Sequence, residues 1–154
     1  MGLDFHPIRN SGERSSQGRA VQALFGAHFP RLFAYTRSCV RDDAAAGQIV
    51  AEAFCRAFAR HPDAPDGDLR LALFAAARRL CAAATTAHAQ VDDPLSARER
   101  EVLSLLFEAQ LSRGEIGRLL RMKEQAVNFA LLRGLRKLRA SVSPATVAAY
   151  LRLA

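Results

Sequence analysis

The chain is 154 residues long, half apolar and about a quarter charged, with a formal net charge of +7. That length holds one ordinary domain or two very small ones, and the composition suits a folded polypeptide rather than a disordered one. No apolar run approaches the roughly 20 residues of a membrane span, and residues 1–18 lack the hydrophobic core of a secretion signal. The three cysteines, Cys39, Cys55 and Cys81, show neither C-x-x-C nor metal-ligand spacing. The expectation is a reduced, cytoplasmic protein with buried thiols, no metal and no cofactor.

Alanine, leucine and arginine dominate, Trp is absent and β-branched residues are sparse. This mix favours helix almost everywhere, so an all-α fold is predicted. Residues 1–18 are polar and aperiodic and read as a flexible tail. A first helix is expected over 19–40, where Leu24, Phe25, His28, Leu32, Tyr35 and Cys39 recur at spacings of three and four. Pro30 falls inside it and is expected to kink or split it. Asp42 and Asp43 signal a second helix over 44–60, with Ile49, Val50, Ala53, Phe54 and Phe58 on its apolar stripe. His61 to Asp68 reads as a loop, and a third helix follows over 69–87.

The region after the Asp93-Pro94 break is more sharply punctuated. Ser96 followed by Glu99, and Ser112 followed by Glu115, each fit a capping box, in which a serine and the glutamate three residues on satisfy each other's backbone donors. A three-residue turn, Arg121-Met122-Lys123, leads into a helix from Glu124 to about Arg139, with Val127, Leu131, Leu135 and Leu138 expected inward. Pro144 opens a last amphipathic segment. The expected organisation is two small helical domains. A tail over 1–18 precedes a three-helix domain over 19–87, a linker over 88–94 and a helix-turn-helix domain over 95–139. An amphipathic segment over 140–154 ends the chain.

Charge is unevenly placed. Residues 1–94 carry 11 arginines against 10 acidic residues, whereas residues 95–139 carry 10 basic residues against 5 glutamates. Two helices joined by a short turn, the second bearing basic and amide groups, match helix-turn-helix geometry, in which the second helix enters the major groove. Its leading residues here are Lys123, Glu124, Gln125, Asn128 and Phe129. Gln125 and Asn128 can form paired hydrogen bonds to adenine, while Arg118, Arg121, Arg133 and Lys137 can neutralise phosphates. The alternative is a helical hairpin whose polar face is merely solvated. Gly-rich phosphate loops, nucleophile elbows and paired-carboxylate motifs do not occur, and His6, His28, His61 and His88 are scattered, so an enzyme is not expected.

The segment L-S-A-R-E-R-E-V-L-S-L-L-F-E-A-Q-L-S-R-G-E-I-G-R-L-L, continuing to A-V-N-F-A-L-L-R-G-L-R-K-L-R, resembles the promoter −35-reading domain of extracytoplasmic-function (group IV) sigma factors of bacterial RNA polymerase. It is also similar to the response-regulator helix-turn-helix. The earlier stretch A-L-F-G-A-H-F-P-R-L-F-A-Y-T-R-S-C-V-R-D, then I-V-A-E-A-F-C-R-A-F, is similar to the first domain of the same sigma factors. The resemblance implies that Ile49, Val50, Glu52, Phe54 and Arg56 dock on the clamp helices of the polymerase β′ subunit. It also implies that Arg78 and Arg79 meet the −10 element, that the C-terminal domain touches the β flap, and that an anti-sigma factor can cover both domains.

The match is uneven. Ala45, Ala46, Gly47 and Gln48 stand where the family carries an acidic run, although Glu52 and Phe54 keep their places. In the promoter-melting segment Ala83 replaces an Asp, Thr86, Ala87 and His88 replace a basic end, and Asp63, Asp66 and Asp68 would repel a single strand. Lys123 stands where a capping Ser is usual, and Arg121 where Gly usually takes the left-handed conformation. The leading expectation is a sigma factor directing promoter-specific initiation. The alternative is a sigma-like regulator without promoter melting, acting as an anti-sigma decoy or polymerase accessory subunit. An ordinary helix-turn-helix repressor or activator is a third reading.

Overall fold

A computed structural model describes residues 11–62, 64–85 and 94–141. Six helices account for the ordered secondary structure, with no strand among the described residues: α1 (Ser11–Val40), α2 (Asp43–Arg60), α3 (Asp66–Ala84), α4 (Ala97–Phe107), α5 (Arg113–Leu120) and α6 (Glu124–Ser141). The all-α expectation holds. The expected linker lies, apart from Pro94, outside the described residues, as does the amphipathic segment beyond Ser141.

Helix α1 begins at Ser11 rather than Arg19, and Pro30 neither ends nor splits it. Pro30 removes one backbone donor, but Gly26, four residues earlier, is exposed, so water can solvate its carbonyl. The helix closes at Arg41, whose φ of 58° is left-handed and whose N–H bonds Arg37 O at 2.8 Å. Asp42 then caps α2, its Oδ1 accepting from Ala45 N at 2.6 Å. Helix α3 starts earlier than expected, at Asp66. Pro65 presets the extended entry, its carbonyl accepts from the Asp68 and Leu69 amides, and Asp66 and Asp68 favour the positive end of the helix dipole.

The first three helices bury Leu32, Tyr35, Val50, Ala53, Phe54, Leu69, Leu73, Phe74 and Ala77 between them. Tyr35 meets Phe74 edge-on at 5.7 Å, and Phe25, Phe29, Phe33, Phe54 and Phe58 form a run of ring contacts along the α1–α2 side. His28 is buried on α1 and its Nε2 lies 2.8 Å from Asp66 Oδ1, tying α1 to the start of α3. The C-terminal helices pack around Val102, Leu105, Leu111, Ile116, Val127 and Leu131. Leu135 and Leu138 correct the expectation. They are 43% and 37% exposed, because α6 outruns α4 and leaves its last turns uncovered.

The two helical units touch. Arg70 of α3 pairs with Glu115 of α5, Arg78 of α3 pairs with Glu101 of α4, and Ser38 of α1 hydrogen-bonds Ser104 of α4 at 2.5 Å. These polar contacts seat the C-terminal unit along α3 and against the end of α1.

Candidate nucleic-acid interface

The geometry of the α5–α6 corner follows from its caps. Ser112 Oγ accepts from Glu115 N at 3.3 Å and the Glu115 carboxylate accepts from Ser112 N at 2.8 Å, the reciprocal pair expected from the sequence. Burial pushes the Glu115 carboxyl up, but the Ser112 donors and the Arg70 guanidinium outweigh it, so the net shift is downward. At the other end of α5, Arg121 has φ 54° and ψ 44°, and Met122 N donates to Gly117 O at 2.8 Å while Arg121 N donates to Arg118 O at 3.4 Å. This is a Schellman-type end with arginine in the position where glycine costs least. The half-buried Met122 packs against the core and fixes the exit of the chain.

The turn requires Gly117. A Cβ there would sit 2.8 Å from Met122 O, so the corner closes only because α5 presents no side chain at that point. A second close approach seats α6 on α4, where a Cβ on Gly134 would lie 2.8 Å from Leu103 Cδ1 and 3.6 Å from Glu99 Cβ. Neither glycine stood out in the sequence. Each lies inside a helix without a turn signal, and only the partner surface shows why it is there.

Helix α6 starts without a side-chain cap, its first amides being answered by the Lys123 carbonyl, which accepts from Ala126 N and Val127 N. Val127, Ala130, Leu131 and Gly134 face inward. The opposite face carries Gln125 and Phe129 fully outward, with Asn128 half-buried beside them. Phe129 is 68% exposed, so this aromatic lies outside the core, as a base-contacting residue must. Arg118, Arg121 and Lys123 are exposed and line one shallow concavity at the turn, shared with Gly114 and Glu124. Three cations around a concave surface, beside a helix face that no described residue covers, form a site that phosphate can enter and a base edge can meet.

Two expected phosphate contacts are engaged within the chain. Lys137 Nζ donates to Glu99 Oε2 at 2.7 Å, and Arg133 Nε lies 3.3 Å from Glu99 Oε1. Glu99 is buried, and the Lys137 ammonium, helped by the Ser96 amide, holds its carboxyl down at about 2. Lys137 is therefore first a counter-ion to Glu99, whereas Arg133, 69% exposed along its side chain, still reaches solvent.

Residues 93–140 match the sequence family described as sigma-70, region 4. The match covers about a third of the chain and spans α4, α5 and α6 together. No curated protein and no solved structure matches. The C-terminal unit is a sigma region 4 helix-turn-helix domain, which supports a sigma-factor-like chain. Region 4 is a regulatory DNA-binding family and not an enzyme family.

The residues assigned to the N-terminal unit are placed differently from expectation. Ile49, Val50 and Phe54 are 9%, 1% and 5% exposed and pack in the core of the first three helices. The free face of α2 carries Glu52 and Arg56, which pair with each other at 2.6 Å. On α3, Arg79 is exposed, but the Arg78 guanidinium is held by Glu101, and this hydrogen bond raises its pKa further. No group of three or more candidate metal ligands occurs among the described residues, and no described helix is long and apolar enough to cross a membrane.

Proposed function

We propose that the chain is a cytoplasmic sigma factor of the extracytoplasmic-function type, which binds bacterial RNA polymerase core and directs promoter-specific initiation. In this reading residues 95–139 take the −35 element, with Gln125, Asn128 and Phe129 against bases. Arg118, Arg121, Lys123 and the outward part of Arg133 lie on phosphates, while the same domain meets the β flap. Residues 19–87 hold the β′ clamp helices through the exposed Glu52 and Arg56 and bring Arg79 toward the −10 element. An anti-sigma factor is the expected controlling partner. The observation that carries the proposal is the region 4 match on a corner whose cationic concavity and outward α6 face are both open among the described residues.

One observation favours a second reading, a sigma-like regulator that binds polymerase or an anti-sigma factor without melting promoters. Arg78, a candidate −10 contact, is bound to Glu101, and Asp66 and Asp68 stand exposed at the start of the same helix. In vitro transcription with purified core polymerase and a promoter library separates the two. Specific start sites and open complexes support the sigma factor. Stable core binding without start sites supports the regulator, and duplex binding without core binding rejects both.

A further inference from the structure

Two large apolar side chains point outward on α6. Phe129 is 68% exposed, and Leu132, three positions on, is 53% exposed. At about 3.6 residues per turn, Gln125, Phe129, Leu132 and Arg136 fall in one stripe, opposite the buried Val127, Ala130, Leu131 and Gly134. Half-buried Asn128 borders that stripe. We propose, on the reading of α6 as the −35 recognition helix, that Phe129 and Leu132 read thymine methyl groups in the major groove. The duplex this helix prefers then carries thymines at the two positions they meet.

The thymine C5-methyl is the apolar feature that a base pair presents in the major groove, and aromatic and aliphatic side chains recognise it by contact. An A·T pair presents the adenine N6–N7 pattern on one base and this methyl on the other. Gln125 and Asn128 suit the first and Phe129 and Leu132 the second, so amide and apolar side chains on one face select the same kind of pair. Residues three apart on a helix are separated by about 4.5 Å along its axis. Successive bases on one strand are about 3.4 Å apart, so the two side chains suit methyls on neighbouring base pairs.

The surroundings select DNA over an apolar protein partner for this stripe. Residues 124–141 carry Arg133, Arg136, Lys137 and Arg139 against one carboxylate, Glu124. Arg118, Arg121 and Lys123 gather at the turn that precedes the helix. A polyanion answers that charge while its groove takes up the apolar pair. Covering the ring and the leucine against methyl groups removes apolar surface from water and leaves no polar atom without a partner.

In the test, the full chain, with and without RNA polymerase core, selects duplexes from a randomised pool. Each thymine of the selected site is then replaced by deoxyuridine, which removes the methyl and keeps every hydrogen-bonding group. Two replacements are expected to weaken binding about fourfold each, the effect of one buried methyl. Phe129→Ala is expected to abolish the response at one of these positions and Leu132→Ala at the other, with thermal midpoints unchanged because both side chains lie outside the core.

Uracil tolerated at every position, while Gln125→Ala and Asn128→Ala still change sequence preference, would overturn the thymine readout and leave the −35 reading standing. Variants at Phe129 and Leu132 that keep duplex binding and its uracil response but lose polymerase core would assign the stripe to a protein and overturn it too. Failure to select any sequence would overturn both readings. The base replacement is made in the DNA, so a misfolded variant leaves the test intact.

Discussion

Lys137 on α6 donates to Glu99 on α4 at 2.7 Å, and the accepting carboxylate is the same group that receives the Ser96 amide. One side chain therefore caps the first helix of the region 4 domain and anchors its recognition helix. Because its folded-state value of about 2 lies below the ordinary 4.5, the stabilisation is fully present above pH 4.5 and is lost as pH falls through about 2. Glu99→Gln should lower stability at neutral pH and match the unaltered chain near pH 2. Urea unfolding across this range measures the difference, and a gap independent of pH would reject the assignment.

The same contact separates Lys137 from its cationic neighbours. Lys137→Ala should reduce the thermal midpoint while leaving the salt dependence of duplex binding nearly unchanged. Arg118→Ala should do the reverse, weakening binding across all sequences and reducing the salt slope by about 1. Titrations by fluorescence anisotropy at several salt concentrations distinguish the two. Gln125→Ala and Asn128→Ala should cost about 1–3 kcal/mol at the preferred site and change sequence preference.

Arg121 carries a conflict between fold and function. At φ 54° a glycine would avoid the left-handed penalty, so Arg121→Gly should stabilise the domain by about 1 kcal/mol. It removes one of three cations at the turn and should weaken DNA binding. Opposite signs in a urea titration and a binding titration are the expected result, and parallel changes would mean that the cation does not face DNA.

Gly117→Ala tests the corner itself. The added carbon would meet the Met122 carbonyl at 2.8 Å, and because this neighbour is backbone it cannot rotate aside. A loss of about 1–3 kcal/mol is expected, together with loss of duplex binding. Gly134→Ala should be milder, since its nearest neighbour is the end of the Leu103 side chain. Equal costs would contradict this difference.

Much of the region 4 domain was legible in sequence because its signals are local. Ser96 with Glu99 and Ser112 with Glu115 form the two capping boxes that their spacing announces. What escaped was set by partners distant in sequence. Whether Leu135 and Leu138 are covered depends on where α4 begins, and the burial of Glu99 depends on Lys137. Pro30 misled because its missing bond falls on a water-facing side. Ile49, Val50 and Phe54 were read correctly as an apolar stripe, yet a stripe alone does not tell a core from a docking face, and here the core takes it.

The seat of α3 on the C-terminal domain has an ionic-strength consequence. Arg70 and Arg78 each cover a glutamate of a domain that must approach polyanionic DNA, so the seated domain shows a duplex fewer bare carboxylates than it would if detached. Added salt screens both the arginine pairs and the phosphate contacts. It loosens the seat and weakens the grip on DNA together, so the steepness of salt-dependent binding in the full chain contains the opening of the two units as well as the counterions released from the duplex.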